Sequence, residues 1–391
     1  MPAILLISDE WTPTRGGISR FNRSLAIAFA EGGYRTACLV RAATDVERAD
    51  AENHGVELFQ AAVTPAGPDL SVRVSEVVAW RPDIVIGHEL VSGSVAWTYT
   101  NHYVPTASLV YILHTVSLNE PYKSYPDTAR RATNREREIE KTAAGAAVVA
   151  AVGPLLKRRG EAALGDSRVV QLVPGMDVPD DPRWLHRKPP PNSIVLMACR
   201  TNHIEAKGLD IAAGAIADLR LPRQLPPVEL RIRGAHGDSC DSLKAELLGR
   251  VRVARHQIDV REYTADPTEL ARDLGQAALY VMPSRAEGFG LAALEAIGLG
   301  TPVLVSDRSG LADLLDDCLG EFAKAMIVPV VDDHERDVST WRAAVEAKLQ
   351  DLPRAFAYAH DVRKMLLPRL RWQTTVSTLM SRLPVPAPRT M

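Results

Sequence analysis

The sequence has little cysteine, few aromatic residues and no long apolar run. Four cysteines, Cys38, Cys199, Cys240 and Cys318, are scattered along the chain, without the paired spacing of a zinc site or a disulfide framework. We expect each to be a small core residue. No stretch approaches the roughly 20 apolar residues of a membrane span. Residues 1–11 lack the basic and apolar regions of a signal peptide, so we predict a cytoplasmic protein.

An excess of charge of either sign is also lacking. The 46 Lys and Arg residues nearly balance the 48 Asp and Glu residues, which gives a formal net charge of −2. Nucleic-acid-binding domains are usually basic, so we expect no nucleic-acid partner. A length of 391 residues exceeds one ordinary core and suits two α/β domains.

Short apolar runs alternate with helical patterns along the whole chain, which is typical of doubly wound parallel sheets. In the first half, strands are predicted at 3–8, 35–40, 82–88, 107–114 and 146–153. In the second half, they are predicted at 193–199, 228–234, 257–263, 278–284 and 301–307. A Pro-rich stretch at 179–192 is the predicted linker. We therefore predict domains at 1–182 and 190–366, a last helix at about 367–384, and a frayed tail at 384–391.

The segment from Ser284 to Asp307 contains a glycine turn between two carboxylates. Gly288 and Gly290 allow a tight turn with unshielded amides, and a helix is predicted to start near Leu291. Amides at a helix N-terminus bind anions, most often phosphate. Two glutamates, Glu287 and Glu295, flank the turn and would repel phosphate, so we expect them to bind hydroxyls. A ligand with central phosphates and polyols at both ends is a nucleotide-sugar, although a capped helix with exposed glutamates is the plain alternative.

This segment resembles the signature of the family 4 retaining glycosyltransferases, which have the GT-B fold. The matching residues are Glu287, Gly288, Phe289, Gly290, Leu294, Glu295, Ala296, Gly300, Pro302 and Val303. The resemblance implies an α/β architecture of two Rossmann-like doubly wound domains facing across a cleft. The first domain would bind the acceptor, and the second would bind the nucleotide-sugar donor. The last helix, with Trp372, would pack back on the first domain.

The resemblance also implies roles for individual residues. Arg200, Lys207 and the amides near Gly17, Phe289 and Gly290 would hold the diphosphate and stabilise its charge as it leaves. Glu287 would orient the sugar, His114 would contact it, and Glu295 would bind the ribose. His88 and His203 are lesser candidates near strand ends. The implied catalytic residues are Arg200, Lys207, Glu287 and His114. The implied donor-binding residues are Gly16, Gly17, Gly288, Phe289, Gly290, Leu291, Glu295 and Tyr263.

Two positions depart from the family pattern. Thr115 stands where the family often has Asp after the histidine, and the loop "REYTAD" with Tyr263 lacks the glycine of the usual base-contacting loop. The nucleotide is therefore open, with a UDP-sugar favoured and a GDP-sugar next. The resemblance implies a metal-independent hexosyltransferase with no cofactor. We expect the acceptor to be a hydroxyl of a small molecule or of a glycan-linked or lipid-linked molecule, and the small molecule is favoured.

Three other functions fit parts of this pattern. A nucleotide-sugar epimerase of the same fold would convert the sugar without an acceptor, and a regulatory subunit would bind the nucleotide-sugar without catalysis. An NAD-dependent dehydrogenase would need a Gly-x-Gly-x-x-Gly fingerprint, which the loop after the first strand lacks. Arginines within 114–138 could meet an anionic acceptor or a membrane surface. A loop that runs into a solvated helix explains them more simply.

Overall fold

A seven-stranded parallel sheet organises the N-terminal part of the chain. A computed structural model describes residues 1–14, 16–115, 128–165, 168–178, 181, 184, 187–201, 203–222 and 224–383. The strands here are β1 (Ala3–Ile7), β2 (Arg35–Val40), β3 (Val56–Gln60), β4 (Ala62–Thr64), β5 (Gly67–Asp69), β6 (Ile84–His88), β7 (Ser108–Leu113), β8 (Val148–Val152) and β9 (Val170–Leu172). The sheet has the order β3-β2-β1-β6-β7-β8-β9, and strands β4 and β5 form a separate antiparallel pair.

Helices connect the parallel strands of this sheet. They are α1 (Gly17–Glu31), α2 (Asp45–Asn53), α3 (Ser75–Trp80), α4 (Ser94–Thr98), α5 (Thr128–Ala144) and α6 (Gly153–Leu164). Single π-helical segments, Glu89–Gly93 and Tyr99–Tyr103, flank α4. In α1, the buried residues Phe21, Leu25 and Phe29 recur every four positions, and Gly32 follows the last helical residue, Glu31.

A six-stranded parallel sheet organises the second part of the chain. Its strands are β10 (Ser193–Ala198), β11 (Val228–Ala235), β12 (Ile258–Glu262), β13 (Ala277–Met282), β14 (Val303–Ser306) and β15 (Ile327–Val328). They lie in the order β12-β11-β10-β13-β14-β15. Its helices are α7 (Ile204–Lys207), α8 (Leu209–Ala217), α9 (Cys240–Arg250), α10 (Pro267–Gln276), α11 (Leu291–Gly298), α12 (Gly310–Leu319), α13 (His334–Leu349) and α14 (Leu352–Leu366). Short 3-10 turns lie at Gly237–Ser239, Arg255–Gln257 and Gly320–Ala325.

The last helix, α15 (Trp372–Met380), packs on the first sheet's helices rather than on the second's. Its Trp372 ring lies 5.3 Å from the Phe21 ring of α1, and Gln373 Nε2 donates to Glu31 Oε2 at 3.2 Å. We call unit 1 the described residues up to Thr115, from Thr128 to Gly175, and from Arg371 onward. Unit 2 is the described chain from Met176 to Leu370.

Each unit has the order of a Rossmann-like doubly wound sheet, which confirms the predicted fold class. The chain runs from β1 outward to β3, then returns to β6 on the other side of β1. The same reversal occurs between β10 and β13 in unit 2. Loops that leave these paired strands diverge at their carboxyl ends, and the resulting crevice is where open α/β sheets bind ligands.

The ten predicted strands are confirmed, with ends that differ by at most two residues. Strands β3, β4, β5, β9 and β15 have no counterpart in the sequence prediction. The predicted tail at 384–391 lies outside the described residues, as do parts of the predicted linker and residues 116–127 of the arginine-containing segment. Among the described helices, none is both long enough and apolar enough to cross a membrane.

Candidate active site

In unit 2, two predicted cations and one predicted carboxylate follow the strands of the switch point. Arg200 and Lys207 follow β10, and Glu287 follows the neighbouring strand β13. Lys207 Nζ lies 2.7 Å from Glu287 Oε2, and these side chains are only 17% and 19% exposed. Burial disfavours the charged ammonium, but the charge and hydrogen bond of Glu287 outweigh it and raise the pKa of Lys207. Lys207 is therefore a cation at neutral pH.

Arg200 lies two residues after β10, near enough to Lys207 for its charge to act on the ammonium. It is exposed and makes no ion pair with another described residue. Burial lowers the pKa of Lys207, and the nearby positive charge of Arg200 lowers it further, though by less. The structure thus brings two cations and Glu287 to one edge of the sheet.

Gly208 determines how closely Lys207 approaches β13. The four-residue helix α7 ends at Gly208, which has φ +67°, and a Cβ there would lie 2.0 Å from the carbonyl oxygen of Pro283. A side chain is therefore excluded by backbone conformation and by contact with backbone. The Arg285 amide donates to the Ala206 carbonyl at 3.0 Å, which ties the Glu287 loop to the Lys207 helix.

A buried ion pair reinforces this connection. Arg285 donates from both terminal nitrogens to the two carboxylate oxygens of Asp210, at 2.8 Å each, and both side chains are 9% exposed. Asp210 lies in the first turn of α8, directly after Gly208. The sequence analysis did not find this pair, since neither residue is part of the matched signature. The only available signal was two opposite charges near the motif residues.

The Gly288–Gly290 turn leads into α11, which begins at Leu291 as predicted. The carbonyls of Glu287 and Phe289 accept from the amides of Gly310 and Leu311, at 3.2 and 2.8 Å. No side chain caps this helix. Within the described chain, four successive amides of the turn donate to no other residue, those of Gly288, Phe289, Gly290 and Leu291. Such amides, at the positive end of a helix dipole, form an anion site.

Two further residues that are predicted to bind the donor, Glu295 and Tyr263, lie near this turn and along the same sheet edge. Glu295 is half-buried on the second turn of α11. Tyr263 follows β12 directly, is 37% exposed, and donates its amide to the Ala235 carbonyl at 2.8 Å. Because β12 lies two strands from β10, Tyr263 is on the same edge but farther from Lys207 than Glu287 is.

In unit 1, the carboxyl ends of β6 and β7 carry two histidines in contact. His88 Nδ1 and His114 Nε2 are 2.9 Å apart, and His88 Nε2 lies 2.8 Å from Asn22 Oδ1. Burial lowers the pKa of His114 to about 3, and burial followed by the charge of His114 lowers the pKa of His88 well below its usual value. Both rings are therefore neutral at physiological pH.

A carboxylate that the sequence analysis missed holds the backbone at His114. Glu89 is 2% exposed and has φ +34°, which is a strained conformation for a residue with a side chain. Its Oε2 accepts from the amides of His114 and Thr115 at 2.7 Å each, and its Oε1 accepts from the Thr115 hydroxyl at 2.6 Å. Arg135 completes the ion pair at 3.1 Å. The signal available was an acidic residue directly after a buried strand.

The predicted glycine pair follows β1, which is the other strand of the switch point in unit 1. Gly16 precedes α1, Gly17 is its first residue, no side chain caps the helix, and its first turn contains no acidic residue. The Phe21 ring of α1 lies 5.2 Å from the His114 ring, edge to face. Gly16, Gly17 and His114 therefore belong to unit 1, whereas Arg200, Lys207, Glu287, Glu295 and the Gly288–Leu291 turn belong to unit 2.

A metal site would need several ligand side chains that converge on one point. Among the described residues, no group of three or more His, Cys, Asp or Glu side chains is arranged to hold a metal ion. The metal-independent reaction stays a prediction.

Comparison with known proteins identifies the class of this fold and site. The model of the family described as "Family 4 Glycosyltransferase in conflict systems" matches residues 5–379. The chain therefore belongs to this family, and the resemblance read from the sequence is confirmed.

A glycogen synthase of Mycobacterium tuberculosis is 26% identical over 96% of this chain and 92% of its own length. A D-inositol 3-phosphate glycosyltransferase of Jonesia denitrificans is 27% identical over 69% of this chain. The match spans 64% of that relative, which is less than two thirds of its length.

Solved structures confirm the GT-B fold over nearly the whole chain. A sucrose-phosphate synthase from Thermosynechococcus elongatus matches with a TM-score of 0.71 at 18% identity, and covers 97% of this chain and 98% of its own. The Anabaena protein HepE, solved in complex with UDP-glucose, matches with a TM-score of 0.69 at 17% identity. That match covers 97% of this chain and 100% of HepE.

Proposed function

We propose that the chain is a retaining glycosyltransferase that moves a sugar from a nucleoside-diphosphate sugar to an acceptor hydroxyl. The observation that carries the proposal is the meeting of Lys207, Glu287 and the uncapped Gly288–Leu291 turn at the switch point of unit 2. A UDP-sugar is the favoured donor. The complex of HepE with UDP-glucose supports that choice.

The charges of this site suit a leaving diphosphate. Its phosphates would accept from the turn amides and from Arg200, and Lys207 would supply a second cation. Glu287 and Glu295 would accept from hydroxyls of the sugar and of the ribose. Because Glu287 already pairs with Lys207, that contact fixes the carboxylate where a sugar beside the diphosphate would meet it.

The chemical step would need little beyond charge stabilisation and alignment. The bond between the anomeric carbon and the leaving oxygen breaks, and positive charge develops on the sugar ring. The acceptor hydroxyl attacks from the face that the diphosphate leaves, so the configuration is retained. Its proton passes to a departing phosphate oxygen. Two cations and four amides would stabilise the leaving charge, and we therefore propose a metal-independent reaction. The acceptor in this proposal is the small molecule favoured from the sequence.

A panel of nucleotides and their sugar conjugates tests the donor. UDP, GDP, ADP and dTDP are added separately, and the thermal unfolding midpoint is measured. We expect the largest upward shift with UDP and slow release of UDP from one UDP-sugar. A released epimer with no transfer would support the epimerase instead. Binding without turnover, with a set of alcohol acceptors present, would support the regulatory subunit. No shift with any nucleotide would contradict the proposed function.

Variants then test the assigned roles. Glu287→Ala should abolish transfer and leave the UDP dissociation constant within a few-fold, because the carboxylate is assigned to the sugar. Arg200→Ala combined with Lys207→Ala should lower kcat by about 100-fold or more, the effect of removing charge-stabilising donors. The matched control is Arg252→Ala with Arg255→Ala, two exposed cations of unit 2 outside the site. Near-normal kcat in the Arg200 and Lys207 double variant would exclude this mechanism.

A further inference from the structure

Three polar side chains from separate elements form a continuous hydrogen-bonded row in unit 1. Asn22 lies on α1, His88 ends β6, and His114 follows β7. Asn22 and His88 are fully buried, whereas His114 is half-buried. The contacts are 2.8 Å from Asn22 Oδ1 to His88 Nε2 and 2.9 Å from His88 Nδ1 to His114 Nε2. The row therefore runs from the interior to the accessible edge of the sheet.

The donor and acceptor requirements of this row assign each proton. The Asn22 amide nitrogen faces Cys38 Sγ at 3.4 Å, so the amide oxygen is directed to His88. An amide oxygen only accepts, so His88 Nε2 carries a hydrogen. Since the buried His88 ring is neutral, its Nδ1 has a lone pair and accepts from His114 Nε2. The neutral His114 ring then has no hydrogen on Nδ1.

Further contacts hold the backbone and the ring of His114. Glu89 holds the His114 amide at 2.7 Å, and the Phe21 ring packs edge to face on the imidazole at 5.2 Å. Within the described chain, His114 Nδ1 makes no hydrogen bond. The lone pair on Nδ1 of this half-buried, immobilised ring can therefore accept a hydrogen bond from a ligand.

We propose that Asn22 and His88 are positioning residues that hold His114 as a neutral hydrogen-bond acceptor at Nδ1, which selects a ligand hydroxyl over an anionic oxygen. A carboxylate or phosphate oxygen at this position would face a lone pair and gain no hydrogen bond. The ligand class is therefore a sugar or acceptor with a free hydroxyl at the contact, rather than one with a carboxylate or phosphate there. The choice of ligand class rests on the proposed function, whereas the proton assignment does not.

Nitrogen NMR of the full chain labelled with ¹⁵N-histidine tests the proton assignment directly. Long-range proton–nitrogen correlations distinguish a nitrogen that carries hydrogen from one that does not, and His114→Gln assigns the signals. We expect His114 to have hydrogen on Nε2 and a bare Nδ1 between pH 6 and pH 8. A His114 signal with hydrogen on Nδ1, or a mixture of both forms, would overturn the inference.

Variants at Asn22 test whether the row sets this state. Asn22→Asp retains an oxygen acceptor and should preserve the His114 signal pattern. Asn22→Leu removes the acceptor and should produce a mixture of the two neutral forms. Asn53→Leu, on the exposed face of α2, is the control and should leave the spectrum unchanged. If a folded Asn22→Leu variant shows only the form of His114 with hydrogen on Nε2, Asn22 does not determine which nitrogen carries the hydrogen.

A donor panel tests the ligand class separately. The sugar conjugate that supports turnover is compared with its monodeoxy analogues, each of which lacks one hydroxyl of the sugar. We expect the analogue that lacks the contacted hydroxyl to have kcat/KM lower by about 10-fold or more, since it has no donor for the bare nitrogen. In Asn22→Leu, the loss of kcat/KM with this analogue should be smaller. Equal kcat/KM for the parent sugar and every monodeoxy analogue would contradict the ligand assignment, whereas no turnover with any sugar alongside an intact NMR pattern would instead contradict the proposed function.

Discussion

Lys207 Nζ and Glu287 Oε2 lie 2.7 Å apart at the carboxyl ends of adjacent strands, and each is the other's ion-pair partner. Their side chains are less than one fifth exposed, so their attraction is less screened than that of a surface pair.

We expect Lys207→Ala and Glu287→Ala to be coupled by about 1–3 kcal/mol in the free energy of unfolding. Urea denaturation of both single variants and the double variant measures this. The exposed pair Arg250 and Glu246 is the control, at about 0.3–0.5 kcal/mol. Equal coupling in both cycles would contradict the expectation.

Breaking the Asp210–Arg285 pair should loosen the Glu287 loop. Asp210→Ala leaves the Arg285 guanidinium buried without its bidentate partner, at a cost of about 3 kcal/mol in the free energy of unfolding. It should also lower kcat, because the same loop carries Glu287. Asp218→Ala, an exposed residue at the end of the same helix, should change stability by less than about 0.5 kcal/mol. If Asp210→Ala is as stable as Asp218→Ala, the pair has no positioning role.

Gly208 should tolerate no side chain. Gly208→Ala would require φ near +67° and a Cβ 2.0 Å from a backbone oxygen, so we expect a loss of more than about 2 kcal/mol. Gly249→Ala is the matched control, since a Cβ in that helix meets nothing within 4 Å. It should be neutral or stabilising by up to about 1 kcal/mol. Denaturation midpoints compare them, and similar midpoints would show that β13 can move away from Lys207.

The two buried histidines should make stability depend on pH in mild acid. Their pKa values are depressed by burial, His114 to about 3 and His88 well below its usual value. Above the unfolded pKa of 6.5 both states are neutral and stability is complete. Below that pKa the unfolded chain binds protons and the folded chain does not. The free energy of unfolding should therefore fall by up to about 1.4 kcal/mol per pH unit for each histidine.

Unfolding measured at several pH values between 7 and 5 checks this, above the range where most carboxylates titrate. The charged groups near the pair, Glu89 and Arg135, form an ion pair with each other at 3.1 Å. His88→Gln should reduce the slope to about half. His256→Gln, at an exposed position, should leave it unchanged. An equal slope in wild type and His88→Gln would contradict the assignment.

Patterns that are local in sequence predicted much of this fold and site. Continuous apolar runs identified the central strands, and the glycine turn identified the start of α11, because both features depend on neighbouring residues. Strands β9 and β15 were missed because they have only three and two residues. Strand β3 was missed because its polar residues interrupt the apolar run.

The missed site residues depend on contacts between distant parts of the chain. Glu89 reads as a solvated acid after a strand, and only the return of the chain at His114 gives its carboxylate two backbone amides. Asp210 and Arg285 are 75 positions apart, and no periodicity relates them. From the sequence alone, His88 is only a lesser candidate for a site residue, because its position beside His114 depends on the order of strands in the sheet.

The placement of α15 has a consequence for how the protein is made. Phe21 of unit 1 packs against Trp372, which the ribosome adds only after all of unit 2. Domains usually fold as they emerge, the N-terminal one first. Here α1 must wait for α15, and the α1 surface that α15 covers stays uncovered while all of unit 2 is translated. A ribosome that stops within unit 2 therefore releases a first unit that lacks one of its own helices.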